Sequence, residues 1–99
     1  MSIFKKSPPK NFPFSDSPDL GCLLCVHTSE KGILYVSHDS SDGMWQFTCG
    51  EGNHEYEDAK LVSLSEVFQQ DNSIGALAKM PRGYHAERKD VNSPWKISE

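Results

Sequence analysis

Residues 42–51 read DGMWQFTCGE, a turn dipeptide followed at once by large apolar side chains and closed by a second glycine. An Asp-Gly pair favours a tight turn, because glycine reaches backbone angles that other residues avoid. From Trp45 onward, every second residue (Trp45, Phe47 and Cys49) shares one face of an extended chain, and the residues between them share the other. The pattern predicts a hairpin strand with one buried face.

Two further apolar runs precede this strand and predict neighbours in the same sheet. They are Cys22 to Val26 and Ile33 to Val36, each bounded by turn-forming residues. A fourth short strand is expected at Ala59 to Val62 and a last one at about Tyr84 to Lys89, with Trp95 packing as a closing plug. Because successive strands joined by short turns pair side by side, we expect an antiparallel meander of four to five strands.

Helical signals follow the fourth strand. Ser63 and Glu66 have the spacing of a capping box, in which each side chain accepts from the other residue's backbone amide. Two apolar stripes at helical spacing come next, Leu64, Val67 and Phe68 in the first and Ile74, Leu77 and Ala78 in the second. Pro81 and Gly83 end the second helix. The predicted fold class is therefore α+β, with two short helices packed on one face of the sheet.

The 99 residues are enough for a single core. Four of the six prolines fall within residues 1–18 together with three lysines, and this composition disfavours regular structure. We interpret residues 1–18 as an N-terminal tail and residues 19–99 as one α+β domain. Phe12 and Phe14 leave a second reading open, in which the later half of the tail is an extended strap pinned to the core.

The charge balance indicates which classes of partner to expect. A formal net charge of -4 and a pI near 5.5 argue against nucleic-acid binding, which needs clustered basic residues, and favour a basic protein partner. The first nine residues lack the apolar run of a secretory signal, and no segment reaches the length of a membrane span. We expect a cytoplasmic protein with no membrane partner. The oligomeric state stays open, and pairing of an exposed strand edge would give a homodimer.

The cysteines suggest a metal site only weakly. Cys22 and Cys25 have the two-residue gap of a zinc half-site, and Cys49 with His54 would complete a set of four ligands. Residues three apart on a strand point to opposite faces, however, so these two sulfurs should not converge. We expect buried thiols and no cofactor, and we keep a small zinc-binding protein as the alternative.

The segment 51–58 is the candidate contact surface. Its partner-binding residues are predicted to be Glu51, His54, Glu55, Tyr56, Glu57 and Asp58. Carboxylates clustered in a loop raise the encounter rate with a basic partner and pair with its arginines. A purely solvated loop is the competing interpretation, and a metal or acid-base site that includes His38 and Asp39 is a third.

Aromatic and basic residues add little to this assignment. Tyr35 and Trp45 lie inside apolar runs and are predicted to be core residues, whereas Tyr56 is expected to be exposed. Arg82, Glu87 and Arg88 are interpreted as surface ion pairs without a special role. The chain contains neither a phosphate-binding glycine loop nor a nucleophile-elbow serine, so we do not expect an enzyme.

Two stretches carry a family resemblance. The first is Ile33 to Asp39 followed by Asp42-Gly43, Trp45, Phe47, Gly50 and Glu51, and the second is Leu77 with Met80-Pro81, Gly83, Ala86 and Glu87-Arg88. Over residues 22–95 the chain resembles a family of small bacterial domains of unknown activity that are related to immunity proteins of polymorphic toxin systems. The resemblance implies an α+β fold, no cofactor and no catalytic residues. It also implies a role as a stoichiometric inhibitor that binds a toxin and blocks its active site.

Overall fold

Six short strands form one mixed sheet in the computed structural model, which describes residues 11–50 and 59–99. In chain order the elements are β1 (Gly21–Cys25), α1 (Thr28–Lys31), β2 (Tyr35–His38), β3 (Trp45–Thr48), β4 (Ala59–Ser63), α2 (Leu64–Gln70), a 3-10 helix (Asn72–Leu77), β5 (His85–Glu87) and β6 (Lys96–Ser98). In space the strands follow the order β4-β1-β3-β2-β5-β6. The α+β class predicted from the sequence is confirmed.

The predicted hairpin is the β2–β3 pair, which is antiparallel. Its turn is closed by a bond from the Asp39 amide to the Met44 carbonyl at 2.8 Å, and Gly43 adopts a φ of 74°, which glycine reaches without steric strain. The Asp39 carboxylate accepts hydrogen bonds from the side chain and amide of Ser41 and from the Asp42 amide, and these bonds lower the pKa of Asp39. Trp45 and Phe47 are fully buried, so the predicted alternation is confirmed.

The antiparallel meander is wrong in one respect, because β1 and β2 are not neighbours. β1 pairs in parallel with β3, and its other side pairs antiparallel with β4. The connection 26–34 contains α1, which the sequence analysis read as a turn, and this longer path lets β2 return on the far side of β3. The central place of β3 allows strands on both sides to help cover Trp45 and Phe47.

The sheet also has one strand more than expected. β6 follows the predicted plug Trp95 and pairs antiparallel with β5, placing Ile97 opposite Ala86. All three of its residues are exposed, so its sequence carries no alternation of buried and exposed positions. Only the pairing with β5 reveals it as a strand.

Both predicted helices are present on one face of the sheet. Ser63 and Glu66 form the predicted capping box, with Ser63 Oγ accepting from the Glu66 amide at 3.2 Å and the Ser63 amide donating to Glu66 Oε1 at 3.0 Å. The helices break at Asp71, as expected. Their stripes enter one core with side chains from the sheet, and the buried members are Cys22, Leu24, Ile33, Val36, Trp45, Phe47, Leu64, Val67, Phe68, Ile74, Leu77, Met80 and Ala86, with Phe14 from the tail.

The described part of the tail is held to the core by its aromatic side chains. Phe14 is 6% exposed and meets Trp45 edge to face at a centroid distance of 5.3 Å, while Phe12 packs against Phe68 at 5.7 Å. The indole N–H of Trp45 donates to the Asp16 carboxylate at 3.1 Å. Residues 12–16 therefore form a strap pinned to the core, which is the second of the two interpretations left open for this segment.

Arg88 is buried, which corrects its interpretation as part of a surface ion pair. Its guanidinium donates to the Ile33 carbonyl at 2.9 Å, to Ser73 Oγ at 2.9 Å and to Asp71 Oδ2 at 2.8 Å. The ring of Trp95 stacks on the guanidinium, with the ring centroid 4.1 Å from Cζ of Arg88. The predicted plug therefore covers this site. We call this arrangement the Arg88 clamp. It joins the start of β2, the break between the helices and the β5–β6 connection.

Substitution Arg88→Met should lower the free energy of unfolding by about 3 kcal/mol, because it removes the ion pair to Asp71 Oδ2 and leaves the Ile33 carbonyl without its guanidinium donor. Urea denaturation measures the change. Lys89→Met removes the same charge from an exposed neighbouring position and should change stability by less than about 0.5 kcal/mol. Equal losses in the two variants would show that the clamp contributes no more than a surface charge.

Candidate functional site

The face of the sheet opposite the helices is the candidate site, and we call it the open face. The register of the strands places two rows of side chains across it. The first row is Leu61, Leu23, Gln46, Ser37, His85 and Ser98, and the second is Ala59, Cys25, Thr48, Tyr35, Glu87 and Lys96. Among the described residues, α2, the 3-10 helix and the strap all pack on the other face. Apart from Cys25, the two rows are half-buried or exposed.

Aromatic and polar groups meet on the half of this face formed by β2, β5 and β6. The rings of Tyr35 and His85 are stacked, with centroids 5.5 Å apart and an interplanar angle of 19°. Ser98 Oγ lies 3.0 Å from Nε2 of His85. Such a Ser–His contact has the distance of a nucleophile and its base, but within residues 11–50 and 59–99 no carboxylate hydrogen-bonds to His85 to orient it. The group offers flat contact area with hydrogen-bonding edges.

Leu61 gives the open face its most exposed apolar side chain. It is 68% exposed and lies on β4, at the edge of the sheet, next to Leu23 of β1. Tyr35, by contrast, is half-buried at the middle of the face, so the prediction that it belongs to the core is wrong. The alternation of faces along β2 explains this position, since Val36 takes the buried side.

The six predicted partner-binding residues lie outside the described residues. They are Glu51, His54, Glu55, Tyr56, Glu57 and Asp58. The described residue before this segment is Gly50, which follows β3, and the one after it is Ala59, which begins β4. In the sheet, β3 and β4 lie on either side of β1. Ala59 pairs with Cys25, the last residue of β1, in the row that also contains Tyr35. The segment 51–58 thus joins the sheet at the end that carries the second row of the open face.

His38 and Asp39 do not contribute to this face. Along β2, Tyr35 and Ser37 point to the open face, whereas His38 points to the helix side. There its ring stacks on the ring of Trp45, with the two centroids 3.8 Å apart. Its Nδ1 lies 2.9 Å from the Met80 carbonyl oxygen, so this nitrogen carries the proton and donates. Asp39 is engaged in the hairpin turn. Both residues have structural contacts that explain their presence.

The three cysteines are buried thiols, as predicted from the sequence. Cys22 and Cys25 both lie on β1, where residues three apart face opposite sides. Burial, and after it the Glu66 carboxylate, raises the pKa of the Cys22 thiol to about 12, which opposes the thiolate that zinc needs. Among residues 11–50 and 59–99, no three His, Cys, Asp or Glu side chains converge as a metal site would require. His54 lies outside these ranges.

The sequence patterns did not indicate that Leu61, His85 and Ser98 lie on the same exposed face. His85 belongs to a three-residue strand and Ser98 to the exposed β6, and neither strand has enough residues to show a period. The signal that groups them is the register across β2, β5 and β6, which places Ser37, His85 and Ser98 in one row. That register follows from tertiary pairing.

No family model, no curated protein and no solved structure matches this chain. None of the helices in the described ranges has the length and apolar character to cross a membrane.

The raised pKa of Cys22 predicts a pH dependence of stability. Its folded-state pKa of about 12 lies above the ordinary thiol value of 9.0, so the folded state holds the proton more tightly. This contribution is complete below pH 9 and is lost as the pH rises from 9 toward 12. This loss lowers the free energy of unfolding by at most about 1.4 kcal/mol per pH unit, and Cys22→Ala should abolish it. Urea unfolding of both proteins between pH 8 and pH 10.5 tests it, and parallel curves would contradict the assignment.

Proposed function

We propose that this chain is a non-catalytic protein-binding module of the immunity-protein kind, which acts in the cytoplasm and occludes a basic partner. The observation that carries the proposal is the open face, a half-exposed sheet surface that borders the attachment points of the acidic segment 51–58. The mechanism is stoichiometric blockage: the module covers the functional surface of its partner and performs no chemistry.

The composition of the open face supports a contact role. Tyr35 and His85 present a stacked aromatic pair, and Leu61 adds exposed apolar area at the edge. Aromatic rings supply large contact area while losing little conformational entropy, and they are enriched at the energetic centres of interfaces. Polar side chains such as Gln46 and Ser37 surround them and supply hydrogen bonds. This mixture suits a protein surface better than a small-molecule pocket.

Charge supports a basic partner. The chain carries a formal net charge of -4, and four carboxylates fall within residues 51–58. Opposite charge on the partner would increase the rate of association and disfavour acidic competitors. Arginines of the partner would form charge-assisted hydrogen bonds with these carboxylates. We propose that Glu51, Glu55, Glu57 and Asp58 provide this attraction, with His54 and Tyr56 between them.

Neutralising Glu55, Glu57 and Asp58 together, as E55Q, E57Q and D58N, should weaken binding of the partner about tenfold or more at low salt and flatten the dependence of affinity on salt. Candidate partners are to be sought among any basic proteins encoded immediately beside the gene for this chain. Titration calorimetry at two salt concentrations measures the affinity, and thermal unfolding should be nearly unchanged.

The matched control carries D19N, D42N and E99Q, which remove three exposed carboxylates next to the opposite ends of their strands from Gly50 and Ala59. Both triple variants change the net charge equally, so a difference between them reports position and not total charge. If the control weakens binding as much as the test variant, the segment 51–58 has no special part in recognition.

The alternative proposal is a small zinc-binding protein that uses Cys49 and His54. Cys49 is 2% exposed just after β3, so it could act only as a buried ligand. Elemental analysis of the purified protein separates the two proposals. One zinc per chain, with a melting temperature that falls on chelation, would support the alternative. For the binding module we expect no stoichiometric metal and no effect of a chelator.

A further inference from the structure

We propose that the free edge of β4 binds an extended, basic segment of the partner by strand addition. The inference rests on the proposed function and specifies how the partner is engaged. Within residues 11–50 and 59–99, β4 is an edge strand, and its neighbour in the sheet is β1. An edge strand exposes backbone groups that another extended chain can use for pairing.

One hydrogen bond just beyond the end of β4 shows which of its backbone groups point toward β1 and which point away from it. The amide of Leu64 donates to the carbonyl of Leu20 at 2.8 Å, in the same register that pairs Cys22 with Val62. In an antiparallel ladder, hydrogen-bonded pairs alternate with pairs that make no bond to each other. Val62 and Lys60 therefore direct their backbone groups to β1, and the residues between them direct theirs outward.

The outward groups belong to Ala59, Leu61 and Ser63. The Ser63 amide is already occupied, because it donates to the Glu66 carboxylate in the capping box. Within the described residues, Leu61 keeps both its amide and its carbonyl on the free side of β4. Its side chain is 68% exposed on the open face. Leu61 is thus the natural centre of an added strand, offering two backbone bonds and an apolar contact.

Charge decides between a second copy of this chain and a basic partner. If two copies paired antiparallel about Leu61, the Ala59 end of one strand would meet the Ser63 end of the other. The Ser63 end carries the Glu66 carboxylate, which accepts from the Ser63 amide, and each copy has a formal net charge of -4. Two copies would therefore repel each other, whereas a basic segment of a partner would be attracted to this edge.

Lys60 refines the chemistry of the partner. Its side chain lies on the other side of β4 from Leu61, where it would repel a basic residue placed directly across from it. The basic residues of the partner should therefore flank the paired section, and its centre should be uncharged. The fitting sequence has arginine or lysine at both ends of a short run of β-branched residues.

The probe is a synthetic peptide with arginines at both ends and alternating valine and threonine between them. Amide hydrogen exchange of the free protein should be fast at Leu61 and slow at Lys60 and Val62, because only the latter two amides are bonded to β1. Adding the peptide should slow exchange at Leu61 at least tenfold, with saturable binding below about 1 mM. The same peptide with glutamates in place of the arginines should not bind.

Leu61→Pro removes the outward amide without removing a bond to β1, so it should weaken peptide binding about tenfold or more. Leu61→Val keeps the amide and an apolar side chain, and its affinity should stay within about twofold. Circular dichroism verifies that both variants fold. The exchange measurement on the unsubstituted protein decides the question if the proline variant does not fold.

The outcomes separate this inference from the proposed function. A basic partner that binds in a manner dependent on Glu55, Glu57 and Asp58 without slowing exchange at Leu61 would overturn strand addition alone. Slowing at Leu61 that depends on protein concentration and not on the peptide would identify a second copy as the occupant, and would also overturn it. If neither the peptide nor the basic partner binds, both proposals are wrong.

Discussion

The Arg88 clamp is the interaction on which the other parts of this structure depend. Among the described residues the elements are short, and the longest helix is α2 with seven residues. Helices of this length are not stable alone in water and need tertiary contacts. A single guanidinium bonds to the Ile33 carbonyl before β2, to Asp71 between the helices, and stacks under Trp95 beside β6. Its planar group of donors can serve these separate parts at once, which a lysine could not.

Trp45 plays the corresponding part in the apolar core. Its ring lies between Phe14 of the strap and His38 of the neighbouring strand, and its indole N–H reaches Asp16. A large side chain with one polar atom is stable in a core when that atom has a partner. The strap therefore adds apolar cover and satisfies the one polar atom of Trp45. Both effects act on the helix side, so the packing is concentrated on one face of the sheet.

The proposed function follows from this asymmetry. Among the described residues, the helices and the strap pack on one side of the six-stranded sheet, and the other side, which carries Tyr35 and His85, is left for contact. The same sheet has β4 at one edge, directly after the acidic segment in the sequence. A binding module needs no more than such a surface held in place by a well-packed core. The charge of the chain then determines which class of partner is favoured.

The local structure follows from short stretches of the sequence. The Asp42-Gly43 turn, the alternation through Phe47 and the Ser63–Glu66 capping box are all found where their residues predicted them. Each depends on neighbours within a few residues, and so does the separation of Cys22 and Cys25 on opposite faces of one strand. The acidic character of residues 51–58, on which the proposed partner depends, is likewise read directly from their composition.

The tertiary structure alone decided which strands are neighbours and which side chains meet across them. No local pattern indicates that β3 separates β1 from β2, that Arg88 is buried against Asp71, or that His85 and Ser98 share a row with Ser37. These arrangements join residues far apart in the chain. They form because together they bury Trp45 and Phe47 most completely, and the free energy of that burial belongs to the assembled core and to no single segment.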